Sequence, residues 1–274
     1  MKIGIIGQGY VGNAVFQKFK NYFDVLTYDA ISSKCNSTKS ELLNKANVIF
    51  LCLPTPMNKN GSCDFSIIDN ICSEINSQNK NYIIVIKSTV PPGTTQQLNE
   101  KNKNLSIIFN PEFLTERNAV DDFNNQNRII LGGPRPSTTE IKRVFSIVFP
   151  NATIIKTDSK YAEMVKYITN AFLATKVSFS NEMYELCKKL EIDYDKVIEY
   201  SKQDVRLGNS HWQVPGPDGD FGFGGHCLPK DLNALIFFAK SCGISPLILE
   251  SVLNKNNKIR NNRDWENMKG RAVN

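Results

Sequence analysis

The stretch that most limits what this chain can fold into is KIGIIGQGYVGNAV, Lys2 to Val15. An apolar run leads into Gly7, Gly9 and Gly12, spaced as G-x-G-x-x-G, and then into a helix-forming segment. That order serves a strand–turn–helix unit that holds a dinucleotide. The first glycine permits the tight turn, the second lets the backbone approach a pyrophosphate, and the third lets the helix pack on the strand. The helix N-terminus then offers N–H groups and a positive dipole end to the phosphates, with Tyr10 and Val11 expected beside the cofactor. A second apolar run, FDVLTYD, ends in Asp29. It stands about 20 residues on, where an acid belongs on the adenosine ribose. A carboxylate there accepts from the 2′-hydroxyl and repels a 2′-phosphate, so NAD is expected over NADP.

The alternation continues along the first half. NVIFLCLPTP, NYIIVIKSTVPPGTT, SIIFNPEFL, RIILGG and NATIIKT read as buried strands, with helical stretches such as Ser66 to Ser77 between several of them. Apolar strands alternating with helices indicate a doubly wound, mostly parallel sheet. Ligands in such sheets bind beyond the carboxyl ends of strands. Pro54-Thr55-Pro56, Ser88-Thr89 and Asn110-Pro111-Glu112 all fall there.

Composition narrows the function classes. The chain has 274 residues, 41% of them hydrophobic, as in a soluble globular protein of one large or two ordinary domains. No run of about 18 apolar residues is present, and the N-terminus reads as a strand entering a turn rather than a signal peptide. The formal net charge of +6 is spread along the chain, which fits a solvated lysine-rich surface rather than a nucleic-acid footprint. Seven scattered cysteines without a C-x-x-C pair point to a reducing compartment, and so to the cytoplasm. With only His211 and His226, no metal site is expected. A G-x-S-x-G elbow is absent.

From about Thr157 the texture changes. Ser159 to Leu190 contains neither proline nor glycine and reads as one long helix, with Ser159 a possible N-cap. Its middle is apolar nearly all round, as in a helix buried between domains or subunits. Lys166 and Asn170, four apart, share a face. Val165, Ile168, Ala171 and Phe172 around them lead us to expect burial, and a buried lysine needs a partner or a task. EIDYDKVIEYSKQD, KDLNALIFFAKSCG and SPLILESVLNKNNKIR read as further helices. Between them runs VRLGNSHWQVPGPDGDFGFGG, a loop long enough to be functional or disordered. It leads into FGFGGHCLPKD, Phe221 to Asp231. A free cysteine is most often a small buried hydrophobe, and Cys35, Cys52, Cys72 and Cys242 are read so. Cys227 is read as a nucleophile, because the glycines, Lys230 and Asp231 frame it.

Taken in order, GQGYVG, LPTP, KSTVPPGTT, NPEFLTERNAVDDF, AEMVKYITNAFLATKVSFSNE, RLGN and FGFGGHCLPKD resemble the UDP-glucose/GDP-mannose dehydrogenases, from Met1 to about Lys258. The resemblance implies a Rossmann-type domain over 1–156. It implies an all-α domain over 157–274, built on a long central helix like the C-terminal domain of 6-phosphogluconate dehydrogenase. It also implies oxidation of a nucleotide sugar, UDP-glucose foremost, from primary alcohol to carboxylate with two NAD, and a homodimer paired through that helix. Cys227 would be the catalytic thiolate, and Lys166 and Asn170 would stabilise the oxyanion. Glu112 and Glu116 would line the site, Glu116 as general acid or base, while Thr89 and Asp231 would hold a water. Pro54, Thr55, Thr89 and Lys230 would touch the cofactor. Phe113, Leu114, Glu116, Arg206, Phe221, Gly222 and Gly224 would lie by the substrate, with Lys230 near its phosphates. The glycines would let the backbone sit close to it.

The family's third, C-terminal α/β domain, which helps bind the nucleotide, has no counterpart before Asn274. The loop HWQVPGPDGD is longer than usual, and is read either as a cover of the site or as partial compensation for that domain. Two other readings stay open: a one-step β-hydroxyacid dehydrogenase, which does not need the cysteine, and a non-catalytic dinucleotide- or nucleotide-sugar-binding protein.

Overall fold

The computed structural model describes residues 1–274. Strands β1 (Lys2–Ile6), β2 (Asp24–Tyr28), β3 (Val48–Leu51), β4 (Tyr82–Ile86), β5 (Leu105–Phe109), β6 (Arg128–Gly132) and β7 (Thr153–Thr157) form one sheet. Its order is β2-β1-β3-β4-β5-β6-β7. All seven strands coincide with apolar runs legible in the sequence. Every neighbouring pair is parallel except β5 and β6, which meet antiparallel at Phe109 and Gly132.

Helices α1 (Tyr10–Phe19), α2 (Lys39–Lys45), α3 (Ser66–Asn76), α4 (Thr94–Lys101), α5 (Ala119–Asn124) and α6 (Arg135–Val148) cover the sheet. Side chains alternate between sheet faces along a strand. Ile3, Ile5 and Phe50 therefore meet Phe19, Phe123 and Phe145 on one face. Ile6, Ile49 and Leu51 meet Leu42, Ile68 and Leu98 on the other. The Phe19 ring packs edge-on against Phe50 and Phe145, at 5.3 and 5.6 Å between centroids. Both faces of β1 and β3–β6 are thus largely closed to water, which is why these strands are nearly continuous in apolar residues, whereas the edge strand β7 is exposed at Thr153, Ile155 and Lys156.

The remaining helices are α7 (Ser159–Lys189), α8 (Tyr194–Ser201), α9 (Cys227–Ser241) and α10 (Leu247–Ile259). Asp193 caps α8, its side chain accepting from the N–H groups of Asp195 and Lys196. Contacts divide the chain into two compact units. One comprises Met1–Thr55 and Phe65–Lys166, the other Pro56–Asp64 and Tyr167–Asn274. In the second, Cys187, Tyr194, Ile198 and Val214 form a small core. The fully buried Asn256 clamps Phe223, accepting from its N–H at 2.7 Å and donating to its carbonyl at 3.0 Å. Residues 56–64 belong to this unit through its C-terminal segment. The Met57 N–H donates to the Ala272 carbonyl at 2.8 Å, and the Asn274 side-chain amide donates to Asn58 at 2.6 Å and Asp64 at 2.9 Å. No helix is long and apolar enough to cross a membrane.

Two expectations change here. The α9 helix opens at Cys227 rather than at Lys230, because Pro229 lies in its first turn, where a missing N–H costs no hydrogen bond. The middle of α7 is not covered all round: Ile168 and Phe172 are 57% and 62% exposed, while Lys166 and Asn170 are buried.

Candidate active site

The turn after β1 is built for close approach. Gly7 has φ +95°, and a Cβ on Gly12 would lie 1.9 Å from the Gly7 carbonyl oxygen, so only glycine lets α1 start there. A Cβ on Gly9, by contrast, would point into open space. Tyr10 and Val11 follow as the first, half-buried residues of α1. Asp29, just past β2, accepts from the Gln8 N–H at 2.6 Å and the Ile31 N–H at 2.8 Å. Its carboxylate is thus fixed beside the glycine turn. Pro54 and Thr55 follow β3, and the buried Thr89 follows β4.

Beyond β5 the chain turns at Asn110–Glu112. Lys166 Nζ donates to the Glu112 carbonyl at 2.7 Å and to Glu112 Oε1 at 2.9 Å, both residues being buried. The other carboxylate oxygen, Oε2, accepts from the Leu114 N–H at 2.7 Å. The Phe113 ring lies 5.6 Å from Lys166 Nζ. A second buried lysine, Lys87, donates to Asn110 Oδ1 at 2.8 Å. Burial drives its pKa down to about 8, against the opposing pull of Cys52 and Glu112. Glu116, by contrast, stands exposed ahead of α5.

In the second unit Asp231 is the hub. Its Oδ2 accepts from Asn170 at 2.6 Å and its Oδ1 from Lys230 Nζ at 2.6 Å, all three residues buried. Burial works against the Lys230 ammonium, but Asp231, with Cys63 and Cys227, outweighs it and holds Lys230 above the ordinary lysine range. Cys227, half-buried, is the first residue of α9, and its Sγ lies 3.3 Å from His226 Nε2. A thiol at a helix N-terminus is the more easily ionised. No group of three or more His, Cys, Asp or Glu side chains is placed to hold a metal ion.

Two family models match this chain: residues 30–149 match the NAD binding domain of the UDP-glucose/GDP-mannose dehydrogenase family, and residues 160–258 its central domain. The chain belongs to the UDP-glucose/GDP-mannose dehydrogenase family. The family's cofactor is accordingly NAD. Among similar proteins, the UDP-glucose 6-dehydrogenase TuaD of Bacillus subtilis is 32% identical over 300 residues, covering 94% of this chain and 63% of that protein. The UDP-glucose 6-dehydrogenase of Rickettsia bellii is 36% identical over 230 residues, covering 81% of this chain and 52% of that protein. The solved UDP-glucose dehydrogenase of the archaeon Pyrobaculum islandicum superposes with a TM-score of 0.84 at 28% identity, covering 94% of this chain and 68% of that one. The chain thus spans about half to two thirds of the length of these curated relatives.

Several family positions have a different local meaning here. A Cβ on Gly222 would lie 2.2 Å from Asn256 Oδ1, and one on Gly224 would lie 2.2 Å from Arg260 Nη2 and 2.5 Å from Asp264 Oδ1. The atoms that exclude a side chain at these two glycines are those of Asn256, Arg260 and Asp264. Phe221 packs its ring 5.7 Å from Tyr184. Arg206 is exposed and paired with Asp204. Of the cysteines read as buried, only Cys72 is fully so. Cys52 is half-buried. Cys35 is also half-buried on the loop after β2, where its sulfur accepts from the Asp29 N–H at 3.1 Å. Cys242 is exposed, because it ends α9 where the helix leaves its packing.

Sequence reasoning passed over His226, Asp264 and Glu163. The position of His226 directly before Cys227 was the available signal. Asp264 accepts from the Gly225 N–H with both oxygens at 3.1 Å, and nothing in the sequence links these distant residues. Glu163 accepts from Gly93 and Thr95 N–H groups at 2.6 and 2.8 Å, fixing α7 to the start of α4.

Proposed function

We propose that the protein is an NAD-dependent nucleotide-sugar dehydrogenase that takes the primary alcohol of a UDP-sugar, UDP-glucose foremost, to the carboxylate. The observation that carries this reading is Cys227 at the start of α9, one turn before the buried Asn170–Asp231–Lys230 group. Two NAD molecules, bound in succession, would supply the hydride acceptors for the two oxidations.

The chain's own residues do the rest. The Cys227 thiolate bonds to the carbon of the intermediate aldehyde and keeps it from escaping. Lys166 and Asn170 donate to the oxygen that becomes negative. Oxidation of the adduct leaves a thioester, which a water held by Thr89 and Asp231 opens. The water gives a proton to Asp231 as its oxygen bonds to the acyl carbon, the C–S bond breaks, and sulfur leaves as thiolate. Glu116 moves protons at the reacting alcohol, and Glu112 holds Lys166. Phe113, Leu114, Arg206 and the backbone of Phe221–Gly224 lie along the sugar and its phosphates, while Pro54, Thr55 and Lys230 face the cofactor.

A homodimer paired through α7 belongs to the same proposal. Ile168, Phe172, Phe179, Leu186 and Leu190 are between 51% and 62% exposed, at spacings that make one stripe along the helix. None of the seven cysteines is disulfide-bonded, which favours a reducing compartment, and we place the protein in the cytoplasm.

The test is the stoichiometry of NADH against sugar, followed by absorbance with NAD and UDP-glucose. Two NADH per sugar, lost in Cys227→Ala, is the expected result. One NADH per sugar with full turnover in Cys227→Ser would mean a one-step dehydrogenase. No NADH across a panel of nucleotide sugars, with NAD binding intact by calorimetry, would mean a binding protein.

A further inference from the structure

His226 has no part in the chemistry set out above, yet its ring nitrogen is beside the nucleophile. Nε2 lies 3.3 Å from Cys227 Sγ, and the residue is 9% exposed. His226 is the last residue before α9 and Cys227 the first within it. Both therefore stand at a helix N-terminus, where the backbone dipoles favour negative charge on sulfur.

Charged and polar groups face the pair from several elements. From α9 itself come Lys230 and Asp231, already bound to each other at 2.6 Å. From α7 comes Asn170, a neutral group that holds the other Asp231 oxygen. From residues 56–64 comes the Cys63 thiol, which acts on Lys230. From the C-terminal segment comes Asp264, bound to the N–H of Gly225, the residue preceding His226. Asp231 thus balances Lys230, and Asp264 puts a negative charge near the imidazole. An imidazole in reach of a thiol is the usual means of activating it.

We propose that His226 is the base that takes the proton of Cys227, so that the resting pair is a thiolate beside an imidazolium. The inference rests on the reading of Cys227 as nucleophile and extends it. The S–H bond breaks, its electron pair stays on Sγ, and the proton goes to Nε2, with no change in net charge. That electron pair then makes the bond to the aldehyde carbon. When the thioester opens, sulfur leaves as the thiolate it began as, so Nε2 keeps its proton through the cycle.

The test needs neither sugar nor NAD. Alkylation of Cys227 by iodoacetamide is followed against pH, with mass spectrometry of the Cys227 peptide separating it from the other cysteines. The wild-type rate is expected to persist well below the ordinary thiol range near about 8.5. In His226→Asn and His226→Ala the rate at pH 7 should fall about tenfold or more, a tenfold change in thiolate being one unit of pKa. An unchanged profile in a folded variant overturns the proposal.

A second measurement uses the unaltered protein. It has only two histidines, so the imidazole nitrogen resonances of His226 are assigned by comparison with His211→Gln. Blocking Cys227 with iodoacetamide should lower the pKa of His226, because its negative partner is gone. A titration indifferent to alkylation overturns the pairing whatever the variants do. The expected profile without NADH from any nucleotide sugar would leave the pair standing and sink the dehydrogenase reading, and the converse result would do the reverse.

Discussion

Lys166 is held by two oxygens of one residue, the carbonyl and the carboxylate of Glu112. Breaking a buried pair from one side costs about 3–5 kcal/mol, because the remaining charge is left without compensation. Lys166→Met should therefore lower the thermal midpoint, and Glu112→Gln added to it should restore part of the loss. Turnover should fall about 10²–10³-fold in the single variant, as on losing an oxyanion donor, and the second change should not rescue it. Steady-state kinetics with thermal unfolding of the two variants would check this; turnover restored by Glu112→Gln would place Lys166 outside the chemistry. Lys87 supports a pH prediction. Its folded pKa of about 8 lies below the ordinary 10.5, so the unfolded chain binds more protons between those values. Stability should rise with pH across that window, by at most about 1.4 kcal/mol per unit. The rise should be absent in Lys87→Met, as denaturant unfolding at pH 8 and 10 would show. At this scale the sequence made residue types legible and their partners much less so. Cys227, Lys166 and Asp231 stand out by context, whereas the His226 contact depends on how the turn at Gly225 aims one ring.

The strands β1 and β3–β6 were readable because burial on both faces demands unbroken apolar runs. The reversed direction of β6 was not, because a strand's side chains read alike in either direction. The start of α9 was misread at Pro229, whose missing N–H would have been unpaired in any first turn. For α7 the sequence predicts an apolar middle, but which flank stays open depends on what packs against it. That open flank gives a prediction. Phe172→Asp with Ile168→Asp should convert a dimer to a monomer in light scattering while leaving NAD affinity unchanged. A wild-type monomer would remove the pairing altogether.

Over the whole molecule, the two units were expected as consecutive halves. Instead the chain crosses between them at residues 55–56, 64–65 and 166–167. Nothing in residues 56–64 announces this, because their partners lie at the opposite end of the sequence. The C-terminal segment carries the buried Trp265 and Ala272 and binds Gly225 through Asp264. Deleting residues 262–274 should lower the thermal midpoint, by about 2–4 °C for each kcal/mol lost. A deletion variant that melts with the parent would make this segment an ornament of the second unit rather than part of it.

The same pairing sets a clock on synthesis. Met57 leaves the ribosome early, but the residues that receive it, Ala272 to Asn274, follow about 215 residues later. At about 5–20 residues per second, the wait is on the order of ten seconds or more. Throughout it the sheet of the first unit can close, while residues 56–64 lack these partners and stay open to chaperones and proteases until residues 272–274 arrive.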